Sequence, residues 1–180
     1  MTHVDEENWA IFQFDILVRE LIKSSFDNNT GVILVSPWFK DYEMPTSWPS
    51  FASNFINITE VQRLSDIIKL LLKNSVKVEL VCIPLDHLGW NESDMREVKE
   101  FYSQLEEAGA IINYNTTNHG KITQTSDNVL FSSANITRKG SGLTMTIQNN
   151  LGENFVRSLE PERYKEKAEW IKKRIKESTQ

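Results

Sequence analysis

Cysteine is nearly missing from this chain. Cys82 is the single one in 180 residues, so no intrachain disulfide can form, and its apolar neighbours Leu80, Val81 and Ile83 suit a buried, reduced thiol in a cytoplasmic protein. Histidine is scarce as well: His3, His87 and His119 stand far apart. With no His/Cys cluster at ligand spacing, neither a metal nor a cofactor is expected. No apolar run approaches the ~20 residues that span a bilayer; the longest, Ile67 to Leu72, is interrupted by Lys69, and no membrane association is expected. Met1 to Glu7 is polar and acidic, whereas a signal peptide would begin basic and turn apolar. No motif repeats internally. A single domain over residues 1–180 is expected, since this length supports a core without disulfides or metal.

The formal charge of −5 conceals an asymmetry. Residues 1–110 carry 9 Lys+Arg against 18 Asp+Glu, and residues 111–180 carry 11 against 7, or −9 and +4. A basic half suits contact with phosphates, but the surplus is too small for tight, indiscriminate nucleic-acid binding.

Trp9 to Ser24 sets Ile11, Phe12, Phe14, Ile16, Leu17, Leu21 and Ile22 at helical spacing, with acids early and Lys23 late, and predicts the first helix. After a turn at Asp27 to Gly31, Val32 to Val35 predicts a strand buried on both faces. Ser36 to Asn57, with three prolines and many aromatics, predicts an irregular loop leaving the carboxyl end of that strand. Its Trp38, Phe39, Tyr42 and Trp48 either border a substrate groove and stack on bases, or pack over the sheet edge. Thr59 to Gln62 reads as a capping box opening a helix to Lys73. Val76 to Pro84 predicts a second central strand. His87 falls in the following loop and reads as a surface residue. Ser93, as a cap, and Gly109 bracket a further helix, and Ala110 to Tyr114 a further strand. Leu143 to Gln148 predicts another strand. Pro161 to Glu177 predicts a helix, within a C-terminal segment 161–180, packed on the domain or on a second subunit. Strands alternating with helices, then a hairpin, predict an α/β fold: a mixed central β-sheet flanked by helices on both faces.

The chemistry is concentrated between His119 and Asn135. His119 and Lys121 are two apart, so on an extended strand both leave one face. Asp127-Asn128 is a turn dipeptide, and Val129 to Phe131 resumes an apolar strand that brings back Ser133 and Asn135, again two apart. An imidazole, an ammonium, a hydroxyl and a carboxamide at one place suit a tetrahedral oxyanion such as phosphate. Arg138 and Lys139, in the glycine-containing stretch 137–142, either reach flanking phosphates or form a solvated turn.

These residues resemble the signature of the phospholipase D superfamily, His-x-Lys, then Asp, then Gly-Ser-x-Asn. His119, Lys121, Ser133 and Asn135 correspond directly; Asp127, a structural position in that family, falls one residue late, and Ser132 stands where the family has Gly. Asn149 to Phe155 resembles the family's Asn-x-Glu-Asn segment, in which Glu153 would orient the histidine. The resemblance implies a phospholipase D-like fold and metal-independent cleavage of phosphodiesters. His119, Lys121, Asn135 and Glu153 would be catalytic, and Ser133, Arg138, Lys139 and Trp38 would bind substrate. One motif per chain implies a homodimer with the site on its two-fold axis, because in-line displacement needs one imidazole to attack and another to protonate the leaving group. Short single-motif members are mostly nucleases, including parts of restriction systems, so the expectation is an endonuclease on DNA or RNA, associating with other subunits of a restriction or repair system. The alternatives are a diesterase acting on phospholipid or small diesters, and a catalytically weak module that binds nucleic acid or phosphate.

Overall fold

The structure, a computed structural model, describes residues 2–4, 9–43, 60–132, 135–137 and 155–158, with Glu166, Trp170 and Lys173; for 2–4, 9–12, 132 and 155–158 it describes the backbone alone. Three apolar stretches become the core of a mixed sheet. Strands β2 (Gly31–Val35), β3 (Lys77–Cys82) and β4 (Ile111–Tyr114) run parallel to one another. Beyond β2 the sheet turns antiparallel through β5 (Ile122–Gln124), β6 (Val129–Ser132), β7 (Phe155–Ser158) and β1 (Thr2–Val4). The resulting order of the seven strands is β1-β7-β6-β5-β2-β3-β4.

The crossovers are α2 (Leu64–Lys73) and α3 (Glu92–Glu107), with α1 (Trp9–Ser24) ahead of β2. The three helices touch in a row, α1 on α2 and α2 on α3. Successive parallel crossovers of one hand place their helices on one side of a sheet. That side holds the main core: Ile16, Leu17 and Val18 of α1 and Leu64, Ile67, Ile68 and Leu71 of α2 pack with Val32, Leu34, Val78 and Leu80. Each such side chain contributes roughly 1.5–3 kcal/mol on burial. Residues of opposite parity, Val35, Val81, Ile122 and Val129, form a smaller cluster on the other side. The strand buried on both faces is therefore present at β2. On this second side Trp170, in helical conformation like Glu166 and Lys173, borders the same cleft as Val35 and Val81; the other residues of the expected C-terminal helix lie outside the described residues.

Several boundaries differ from expectation. The first turn of α1 holds no acid. Helix α2 begins at Leu64, not at Thr59 to Gln62. Its start is fixed by carboxylates: Asp66 accepts from the Gln62 and Arg63 amides, and Asp41 accepts from the Ser65 amide and hydroxyl and from Arg63 Nε at 2.7 Å. Negative charge there meets the positive end of the helix dipole. In α3 the cap is Asn91, whose Oδ1 accepts from the Asp94 amide at 2.9 Å, and not Ser93. Gly109 follows that helix with φ +102°, a left-handed conformation that glycine adopts without a Cβ clash. Strands β1 and β7 were not expected. The expected strand Leu143 to Gln148 lies outside the described residues.

Candidate active site

The chain reaches His119 through a turn built by asparagines. The Asn115 amide continues the strand pairing by donating to Cys82 O, and Asn115 Oδ1 then accepts from the Thr117 amide and hydroxyl. This side-chain turn reverses the chain at the carboxyl end of β4. Asn118 is buried there, and all of its bonding capacity but one lone pair is used. Its Nδ2 donates to Ser36 O and Val81 O, each at 3.0 Å, and its Oδ1 accepts from the Gly120 amide at 2.9 Å. The residue before His119 is thereby fastened between the ends of β2 and β3.

Gly120 then passes close over the sheet. A Cβ at that position would lie 3.2 Å from Val35 Cγ1 and 3.3 Å from Asn118 Oδ1, so only glycine fits without displacing a neighbour. Strand β5 starts at Ile122, so His119 and Lys121 occupy the lead-in to the strand and not the strand itself. Lys121 Nζ donates to the backbone carbonyl of His119 at 3.0 Å, so the ammonium turns back onto the His119 backbone. The His119 side of the pair is exposed and Lys121 is half-buried.

Asn135 arrives from the other arm of the hairpin. Ile122 pairs with Phe131, so β6 leaves the sheet at the end where β5 enters. Beyond it the Ile136 amide donates to Ser36 Oγ at 3.2 Å, and the Lys40 amide donates to Ile136 O at 3.3 Å. Ser36 is fully buried, its own amide donates to Val81 O, and its hydroxyl donates to Trp38 O at 2.6 Å. One serine at the carboxyl end of β2 thus anchors the residue before His119 and the residue after Asn135. Asn135 Oδ1 is buried and meets no donor among the described residues. Nothing in the spacing of the sequence singles out Ser36 or Asn118, because their partners are far away along the chain.

The remaining expected residues distribute as follows. Asp127 lies in the β5–β6 turn, at the opposite end of the hairpin from His119, and both its oxygens accept from Lys23 Nζ of α1 at 2.9 Å. That hydrogen bond, with the attraction of Asp127, Glu20 and Asp27, holds the Lys23 pKa above 10.5 against the desolvation it suffers. The neighbouring Ser126 amide and hydroxyl both donate to Glu20, which is buried and also accepts from the Gly31 amide. The role of Asp127 is thus a tie between hairpin and helix. Phe39 and Tyr42 are buried in the core and do not border a groove: the Phe39 amide donates to Tyr102 Oη, and Tyr42 Oη donates to Gln13, which in turn donates to Thr123 of β5. Trp38 stands edge-to-face with Trp90 at 5.3 Å, and Lys40 lies over that same Trp90 ring. Trp48, Ser133, Arg138, Lys139 and Glu153 lie outside the described residues, although β7 opens at Phe155, opposite Ser132, at the His119 end of the sheet. His87 is exposed beside Asp86.

Among the described residues, two clefts open at this end. The smaller, about 260 Å³, is bordered by His119, Gly120, Val35, Val81 and Trp170; the larger, about 600 Å³, lies between Trp90, Met95, Lys99 and Tyr114. The carboxyl ends of parallel strands are where open α/β sheets place their ligands. What this arrangement offers chemically is a titratable imidazole, a cation and a carboxamide around the end of one buried strand. A scan against protein-family models matches none, and no curated protein matches the chain.

Proposed function

We propose that the protein is a phospholipase D-like, metal-independent phosphodiesterase that cleaves nucleic acid as a homodimer. The observation that carries this reading is the double anchorage on Ser36, which draws the two arms of the motif, His119-x-Lys121 and Asn135, to one strand end. In the reaction, neutral His119 of one subunit attacks phosphorus through a ring nitrogen, and the P–N bond forms as the P–O bond to the leaving oxygen breaks. The protonated His119 of the second subunit gives its proton to that oxygen. Now neutral, the same imidazole takes a proton from water, whose oxygen attacks phosphorus and releases the first His119. Lys121 and Asn135 bind the non-bridging oxygens, Ser133 and the cations Arg138 and Lys139 hold the substrate, and Glu153 fixes the imidazole tautomer.

The test is incubation of wild type and His119→Ala with single- and double-stranded nucleic acid in EDTA, alongside light scattering. Cleavage in the chelator by a dimer, lost on His119→Ala, is expected. Cleavage that needs a divalent ion, or that survives the substitution, contradicts the reading. Binding without cleavage assigns the protein to a phosphate-binding module, and turnover of lipid or small diesters alone assigns a different substrate.

A further inference from the structure

The 260 Å³ cleft beside His119 has a composition that a phosphate alone does not need. Val35 and Val81 face it from the side of the sheet opposite the three helices, and Trp170 lines it. The indole lies against the motif backbone, its Cη2 3.7 Å from where a Cβ of Gly120 would be, yet 39% of Trp170 stays exposed. Polar groups sit at the border, from Asn115, Thr117 and Asn118, with Asn115 Oδ1 accepting from the Thr117 amide and hydroxyl.

We infer that this cleft takes the base of a nucleotide adjoining the scissile phosphate, stacked on Trp170. A nucleobase has the required shape and chemistry, an apolar flat face for the indole and valines and acceptors at its edge for an amide. At about 260 Å³ the space lies just below the roughly 300–1,000 Å³ usual for whole small-molecule ligands, a size that suits one ring system. Because His119 borders the same cleft, its occupant is held next to the phosphorus that His119 attacks. The inference rests on the nuclease reading above and adds that the enzyme grips an unpaired base, which makes single strands the preferred substrate.

The experiment compares wild type, Trp170→Ala and Trp170→Phe on a single-stranded oligonucleotide with a defined cleavage position, and on the same strand with abasic residues flanking that position. Stacking on one aromatic ring is expected to give about tenfold or more in KM. Trp170→Ala should therefore raise KM by that factor on the normal strand and change nothing on the abasic one, with Trp170→Phe close to wild type. Equal KM values for wild type and Trp170→Ala on the normal strand, or the same loss on both strands, overturn the inference. A binding readout separates it from the nuclease reading. In wild type the indole N–H resonance of Trp170, identified by its loss in Trp170→Phe, should shift with a nucleoside 5′-monophosphate and stay put with inorganic phosphate. A shift without any cleavage keeps the base cleft and removes the nuclease; cleavage without a shift removes the base cleft alone.

Discussion

Replacing Asn118 by alanine probes the segment that sets His119 in place. The side chain makes three hydrogen bonds, to Ser36 O, Val81 O and the Gly120 amide. The loss is unequal among them, because Val81 O keeps the Ser36 amide as a donor and pays little. Ser36 O is buried, and the Gly120 amide lies in a segment with little room to shift. Leaving a buried polar group unsatisfied costs about 1–3 kcal/mol, which Ser36 O meets in full, and the half-buried Gly120 amide adds about 1 kcal/mol, roughly 2–4 kcal/mol together. For a domain of this size that corresponds to a fall in Tm of very roughly 4–16 °C. Urea unfolding followed by circular dichroism measures the stability, and cleavage rate measures the site. Asn118→Asp keeps the acceptor for Gly120 but turns a carboxylate toward two carbonyl oxygens, so it should be no better than alanine. Loss of kcat should exceed the fraction unfolded, since the backbone at His119 is released. A stability within about 0.5 kcal/mol of wild type, the range of an unremarkable surface change, together with an unchanged kcat, would refute the reasoning.

Three further outcomes are expected. Asn135→Leu removes an acceptor that has no donor among the described residues, so unfolding in urea should show stability equal to wild type or about 1 kcal/mol higher, with turnover lost; a strongly destabilised variant argues against this. Burial pushes the Cys82 thiol up to about 12, more than the hydrogen bond from Tyr102 lowers it, so iodoacetamide at pH 8 should leave the native protein unmodified and label it only under unfolding conditions; prompt native labelling contradicts the buried position. Lys23→Ala should cost under about 1 kcal/mol, as exposed ion pairs do. Since Asp127 raises the Lys23 pKa above 10.5, that contribution is present below pH 10.5 and disappears as the pH rises through the raised value. A difference between Lys23→Ala and wild type that grows above pH 10.5 speaks against the pair.

The sequence was most legible where a pattern is local. Val32 to Val35 is apolar at every position, and only a strand covered on both faces uses four such residues; Trp9 to Ser24 shows its helix through spacing alone. The hairpin was legible because Asp127-Asn128 interrupts two strand-forming runs. Legibility failed where distant groups decide. The start of α2 follows from Asp41, more than twenty residues earlier, so the capping pattern at Thr59 to Gln62 lost to a tertiary contact. Asn91 and Ser93 are both good caps, and sequence does not rank two cap residues so close together. β1 and β7 pair across nearly the whole chain, which no periodicity in three or four residues reveals. In the site, the spacing of His119 and Lys121 and the later Asn135 were visible as chemistry. Ser36 was not, because a serine after a strand is ordinary until the partners of its hydroxyl and carbonyl are known.

The most direct measurement of the central claim is to quench the enzyme during turnover of a 5′- and 3′-labelled oligonucleotide at alkaline pH, where a P–N bond to histidine survives, and to map the labelled peptide by mass spectrometry. The account requires a phosphoryl adduct on His119, formed in EDTA and absent from His119→Ala. Turnover at full rate with no adduct, or an adduct on any other side chain, contradicts it.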